Sequence, residues 1–287
     1  KAYKEGLLMH STIDYTCSST QISGMSKNAF ESYLFKDGKP MALTSLNKSD
    51  EAPFQYGHLS LKDILAVRDK RLAQTIDTVL LYNGRGFTRF NTGMESTSST
   101  GYGVAKYDNE AIPEGFRSQS GKNYTHAPLF WLSVIYLNYA EACAELGNIT
   151  QDDLDKSINL LKDRAGLPHL NPIVGFSDPA NNHGVSDLIW EIRRERRCEL
   201  MFDNDNRYWD LIRWHQLDKL DTTKYPDIIL GANVANDMDG CEANKVGKYI
   251  DGSKDGSRIY DKKHYLYPIP TGQIALNPQL APNNPGW

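Results

Sequence analysis

Apolar residues recur at helical spacing in several separated stretches of this chain, while strand-like alternation is confined to short runs. Leu61, Ile64, Leu65, Arg68 and Leu72 repeat three or four apart, which predicts an amphipathic helix over 61–75. Pro128 suits the first turn of a second helix. In it Leu129, Leu132, Ile135 and Tyr139 share one face, and Tyr136, Ala140 and Cys143 share another. A helix apolar on most sides is expected to be buried. Ala140, Ala142 and Ala144 would let a neighbour approach closely, and Gly147 ends the run. Thr150 then caps a partner helix, with Asp153 in the capping-box position. Leu154, Ile158 and Leu161 form its stripe, and Gly166 and Pro168 stop it. Ser186 opens a further helix over 187–202, and another is expected over 206–217.

Between these elements the pattern is irregular. Residues 1–60 carry no sustained period and read as long, ordered loops with short helices. Thr78–Tyr82 is a short strand-like run, Asn83-Gly84 is a tight-turn pair, and Phe87–Phe90 can return as the partner strand. Residues 96–103, 170–185 and 221–263 read as loop. Tyr265–Pro270 is expected to be extended, because its two prolines exclude helix, and the tail wraps back through Asn277-Pro278 and Pro285-Gly286. The expected fold is mainly α, with a small β-hairpin and a pair of antiparallel helices of tetratricopeptide type. One such pair does not establish a repeat array. The expected organisation is a loop-rich part over 1–127 that faces ligand, a helical core over 128–217, and loops with a wrapping tail over 218–287.

Bulk properties exclude several classes. With 287 residues and 40% apolar composition the chain can bury a substantial core. The net charge of −4 does not suggest a nucleic-acid partner. No apolar run approaches the ~20 residues that span a bilayer. The four cysteines, Cys17, Cys143, Cys198 and Cys241, include no C-x-x-C pair, which argues against a zinc or thioredoxin-type site. Cys143 and Cys198 fall among apolar residues of predicted helices and read as small buried side chains. A Cys17–Cys241 bridge is one pairing among those the sequence leaves open.

Candidate chemistry falls into three groups. From Glu195 to Trp214 charges alternate closely with apolar residues. Glu195, Arg196, Arg197, Glu199, Arg207, Asp210 and Arg213, with Trp214, are read as a partly buried ion-pair and aromatic network. The rival reading is an acid/base site of paired carboxylates. Asn236–Gly240 offers Asp237 and Asp239 as weak calcium candidates, but the terminal Glu of such a loop is missing, position 247 being Gly. Glu141 and Glu145 lie one turn apart without a histidine partner, so solvent or ion-pair roles are expected. The seven histidines are scattered, and no nucleophile elbow, phosphate loop or dinucleotide fingerprint is present. No cofactor is expected. The third group is aromatic. Tyr33, Phe35, Phe54, Tyr56, Arg85, Phe87 and Tyr102 lie in loop-rich sequence and are the candidate ligand surface, because sugar C–H faces pack on aromatic planes. The competing reading is that they pin loops to the helical core.

Five stretches in this order carry a family resemblance: L-A-V-R-D-K-R-L-A-Q-T-I from Leu65, P-L-F-W-L-S-V-I-Y-L-N-Y-A-E-A from Pro128, I-N-L-L-K-D-R-A-G-L-P from Ile158, the run from Glu195 to Trp214, and Y-L-Y-P-I-P with Q-I-A-L-N-P-Q-L and N-N-P-G-W to Trp287. Together they resemble the SusD/RagB proteins, surface nutrient-binding lipoproteins of Gram-negative outer membranes. Trp131 stands where that family often has Arg. The family's lipid-modified cysteine and helical-repeat first half have no counterpart here, so the resemblance implies a C-terminal portion of such a protein. It implies a non-catalytic protein on the extracellular face of the outer membrane, attached through a lipid anchor outside this chain. Such a protein binds an oligosaccharide or polysaccharide and passes it to a SusC-like TonB-dependent transporter. It also implies that the Glu195–Trp214 block packs helices. The alternatives are a peptide-binding member of the same family, a helical glycan-degrading enzyme, and a tetratricopeptide-type interaction scaffold.

Overall fold

The computed structural model describes residues 24–46, 61–76, 81–82, 87–88, 97–98, 100, 102, 104, 106, 111–113, 128–203, 206–233, 245–253 and 256–287. The first element is a short helix, α1 (Lys27–Glu31), capped by the Ser26 hydroxyl, which accepts from the Ala29 N–H at 3.3 Å. The helix expected over 61–75 is two, α2 (Leu61–Ala66) and α3 (Lys70–Thr75). Two side chains break it. The Asp69 carboxylate accepts from the Arg71 N–H and so caps α3. Arg68 turns inward, donates to the carbonyls of Phe30 and Tyr33 at 3.0 and 2.8 Å, and stacks over the Phe35 ring. The expected hairpin is present as β1 (Leu81–Tyr82) and β2 (Phe87–Thr88), paired Leu81 to Thr88 and Tyr82 to Phe87. A third strand, β3 (Thr97–Ser98), pairs with β2 inside the stretch expected to be loop. The Asn83-Gly84 turn lies outside the described residues.

The helical hairpin starts later than Pro128, at α4 (Leu132–Glu145), whose N-terminal flank Trp131 is extended. Its return arm is α5 (Gln151–Asp155) followed by α6 (Ile158–Ala165). The Thr150–Asp153 capping box is formed in both directions. The Ser157 hydroxyl bonds back to the Asp153 carbonyl at 2.5 Å where the two short helices part. Leu137, Ala140, Leu154, Ile158, Leu161 and Ile192 make one apolar cluster here. Asn159 fastens the following loop, accepting from the Leu170 N–H and donating to its carbonyl. Burial of α4 is one-sided, contrary to expectation. Leu132, Ile135 and Tyr139 are exposed, because α6 and the next helix cover only the opposite face.

That next helix is α7 (Asp187–Glu199), capped by Ser186. It stops before Phe202, whose φ of +63° is incompatible with an α-helix. Then comes α8 (Asn206–Arg213), shorter than expected and followed by a 3₁₀ turn over Leu217–Leu220. Residues 221–263 are not only loop. β4 (Leu230–Asn233), β5 (Lys245–Val246) and β6 (Tyr249–Asp251) form an antiparallel sheet in the order β4-β6-β5. Gly231 is required there, because a Cβ would collide with the Thr100 backbone, to whose carbonyl Ala232 donates at 2.8 Å. A last helix, α9 (Thr271–Leu276), lies in the tail, where none was expected.

A second core joins Met25, Phe30, Tyr33 and Leu72 to Cys198 of α7 and to Ala232 and Ile250 of the β4–β6 sheet. Packing therefore does not follow divisions at 127 and 217: the first part and the tail share this cluster. Helix α7 lies between the two cores, sending Ile192 into one and Cys198 into the other. Cys143 and Cys198 are free thiols, and burial pushes the Cys198 thiol up to about 12. Cys17 and Cys241 lie outside the described residues.

Candidate functional site

Two buried cores on either side of α7 force its charged residues into narrow seams. On one seam every charge has a partner. Arg196 donates from Nε to both Asp210 oxygens at 2.8 and 2.7 Å and from a terminal nitrogen to Asn138. Arg213 forks onto Glu141 at 2.9 and 2.6 Å and reaches Asp210 at 2.8 Å. The Trp214 indole donates to Glu141 at 2.6 Å, and its ring lies under the Arg193 guanidinium at 4.6 Å. Glu195 pairs with Arg71 and, at 3.6 Å, with Lys162, while Glu199 pairs with Arg71 at 3.0 Å and with Arg164. On the other seam, Arg194 pairs with Asp178 and Glu191.

Burial alone would push the Glu195 carboxyl up, but the Arg71 and Lys162 charges outweigh it and hold it below the usual range. Glu141 and Asp178 follow the same pattern, held down by Arg213 and Arg194 respectively. Carboxylates fixed as anions by arginine forks suit packing better than proton transfer. Partners missed by sequence reasoning are Arg71, Asp69, Asp178 and Glu191, whereas Glu141, expected in a solvent or ion-pair role, pairs with Arg213 and Arg193. Arg71 lies 124 positions from Glu195 and so leaves no local signal, whereas Glu191 sits one turn before Arg194 on the same helix, a spacing at which ion pairs form.

The other seam opens on a cavity of about 620 Å³ between α1, α7, α8 and the 3₁₀ turns over Leu217–Leu220 and Pro226–Ile228. Arg197, Arg207 and Lys219 line it, with Trp190, Tyr225 and Asp227. Arg197 donates to the Asn28 side-chain oxygen at 2.7 Å, and Asn28 in turn donates to Asp227 at 2.6 Å. Arg207 lies over the Trp214 ring at 5.8 Å and Lys219 over the Trp190 ring at 4.7 Å.

A second concavity, about 320 Å³, shares Leu220 and Arg258 with the first. Its wall is aromatic: Tyr208, Tyr260, Tyr267 and Trp287. Tyr267 is 70% exposed and Trp287 45%. The Tyr208 and Tyr267 hydroxyls meet at 3.1 Å. The tail is pinned to make this wall. Asn283 bonds both the N–H and the carbonyl of Ile269, and Asn284 donates to the Tyr267 carbonyl. A φ of +88° at Gly286 turns Trp287 back so that its indole donates to the Leu266 carbonyl at 2.9 Å.

The aromatic residues expected to face ligand are placed differently. Tyr33, Phe35 and Tyr102 are 0, 3 and 4% exposed. Tyr33 bonds the Cys198 carbonyl, Phe35 stacks under Arg68, and Tyr102 stacks on Phe30 at 4.4 Å. No sugar ring reaches a side chain so enclosed, so these three serve the core. Phe54, Tyr56 and Arg85 lie outside the described residues, and of Phe87 only the backbone, in β2, is described. Asp237 and Asp239 also lie outside them. Among the described residues no cluster of three metal-ligating side chains occurs, and no helix is long and apolar enough to cross a membrane.

The family model described as the SusD family matches residues 14–287. Among solved structures, a SusD-like carbohydrate binding protein from Bacteroides fragilis is 22% identical, with a TM-score of 0.62 over 89% of this chain and 47% of its own. A second SusD-like protein from the same organism is 21% identical, with a TM-score of 0.56 over 92% of this chain and 47% of its own. The chain thus spans about half the length of these structures. No curated protein matches it.

Proposed function

Because the chain belongs to the SusD family, we propose that it captures glycans without cleaving them, through the cleft walled by Tyr208, Tyr260, Tyr267 and Trp287. The observation that carries this reading is the exposure of that wall. Large aromatic faces left open to solvent beside polar tips are the chemistry that sugar rings pack against. The description of one structural neighbour as carbohydrate-binding supports it. Family membership supports the wider setting: the outer face of the outer membrane, a lipid anchor outside this chain, and a SusC-like TonB-dependent transporter that receives the glycan. The carboxylates beside α7, locked onto arginines, favour packing over hydrolysis.

The test is gel retardation across a panel of polysaccharides, with new reducing ends measured in the same mixtures. Retardation without reducing ends is expected, weakened about 2- to 10-fold by Tyr267→Ala or Trp287→Ala. Release of reducing ends, or retardation indifferent to both substitutions, overturns the reading.

A further inference from the structure

The cation-lined cavity beside α7 has a charge balance that the glycan reading does not explain. Its lining carries Arg194, Arg197, Arg207, Lys219 and Arg258 against Glu31, Asp178 and Asp227. Three of these charges are already matched: Arg194 with Asp178, and Glu31 with Lys27 outside the cavity. Asp227 reaches Arg197 only through the Asn28 amide. Among the described residues no carboxylate lies within ion-pair distance of Arg197, Arg207 or Lys219; their contacts are an amide and two indole rings.

Holding like charges together in a concave, half-buried space is costly unless an anion joins them. The cost is visible on each group. Burial and the neighbouring Arg197 pull the Arg207 guanidinium down to about 9. Burial, then Arg207 and Arg197, pull the Lys219 ammonium down to about 7. Arg197 is lowered as well, chiefly by burial. Two guanidinium forks and one ammonium present the donor set that reads a planar or tetrahedral oxyanion. A volume of about 620 Å³ lies within the ~300–1,000 Å³ range of small-ligand sites.

We propose that this cavity binds the carboxylate or sulfate of an acidic sugar, held by Arg197, Arg207 and Lys219. The inference rests on the glycan reading and sharpens it. The aromatic cleft shares Leu220 and Arg258 with the cavity, so stacking and charge recognition lie on two sides of one wall. Neutral sugars gain from the cleft alone, and acidic sugars gain from both.

The experiment measures calorimetric affinity for trigalacturonate, for neutral galactotriose and for sodium sulfate, at low and at 0.3 M salt. Trigalacturonate should bind at least 10-fold tighter than galactotriose, with the margin shrinking at high salt. Arg207→Met and Lys219→Met should each weaken trigalacturonate about 10- to 100-fold, the loss expected for a charge-assisted contact. They should leave galactotriose unchanged. Both variants should melt no lower than the parent without ligand, which separates lost binding from lost folding. Arg164→Met, an exposed cation paired with Glu199 elsewhere, should change neither sugar. Trigalacturonate affinity should also fall as pH rises above about 7, when Lys219 loses its proton. The charges that act on Lys219 are Arg207 of α8, Arg193 and Arg197 of α7, which lower it, and the adjacent Asp218, which raises it. Equal affinity for both sugars, untouched by the substitutions, overturns this inference and leaves glycan capture standing. Binding of sulfate with neither sugar overturns the sugar assignment, and binding of none of the three overturns this inference, while glycan capture is decided by retardation across the polysaccharide panel.

Discussion

Arg196 and Arg197 are neighbours on α7, yet their surroundings are opposite. Arg196 points into a seam where Asp210 and Asn138 satisfy it and where Arg213, Glu141 and Trp214 complete a closed set. Arg197, about 100° around the helix, points into a cavity where an amide is its only hydrogen-bond partner among the described residues and Arg207 and Lys219 repel it. A stable fold requires the first arrangement, because a buried charge without its partner is expensive. The second has no such justification within the fold, which is why it points outward to a ligand. Charged residues of one short run thus divide by how completely their neighbours answer them.

The comparison breaks hardest at Asp210. Asp210→Ala strands buried Arg196 and should cost about 3–5 kcal/mol in urea unfolding; a loss under 1 kcal/mol would mean the closed set contributes little. Glu195→Gln should follow at about 3 kcal/mol, because Lys162 loses its carboxylate partner and Arg71 keeps only Asp69 and Glu199. An unchanged melting point combined with loss of an activity would instead revive the acid/base reading. Protonation should act in the same direction. Glu195, Glu141 and Asp178 sit below their ordinary values when folded, so their stabilisation is complete above about pH 4.3 and is lost as pH falls through the lowered values. Melting temperature followed down to pH 2 should show this, with a shallower slope in Glu195→Gln.

A smaller effect is expected from the capping box. Thr150→Ala should cost about 1 kcal/mol, read as a lower denaturation midpoint with an unchanged slope. On the cavity side the sign reverses. Lys219 is lowered in the folded state, so the parent should gain stability as pH rises from about 7 towards 10, where the unfolded lysine holds more protons. Lys219→Met should flatten that rise and be neutral or slightly stabilising at pH 6. Smallest of all is the exposed Lys156–Asp152 pair, where Lys156→Ala should produce no measurable change.

Much of the helical half was legible locally. The Thr150–Asp153 box, the Ser186 cap and the Leu154–Ile158–Leu161 stripe are short-range signals, and each has its expected partner. What failed had a long-range cause. Arg68 looked like one more position on an amphipathic face, but carbonyls of Phe30 and Tyr33 draw it inward and split the helix. Tyr33 and Tyr102 stood in irregular sequence with no visible core to join. The core they join is assembled from Cys198, Ala232 and Ile250, far along the chain. The β4–β6 sheet hid in a Gly- and Asp-rich stretch because strands of two to four residues have too few positions to show a period.

The candidate site was legible only as residue types. That Arg and Glu interleave with aromatics near Trp214, and that the tail is rich in Tyr, Pro and Asn, is plain in one dimension. Which arginine faces Asp210 and which faces a void depends on how α8 and the turn over Leu217–Leu220 return against α7. Which aromatics stay open depends on Asn283 and Asn284 tying the tail down. Most of the helices, their caps and the family could be read from residue order alone, because backbone periodicity and side-chain capping act over three or four residues; α9 and the break at Arg68 could not. Which charges are paired and which rings are exposed emerged on folding, because ion pairing and burial depend on neighbours brought together from anywhere in the chain.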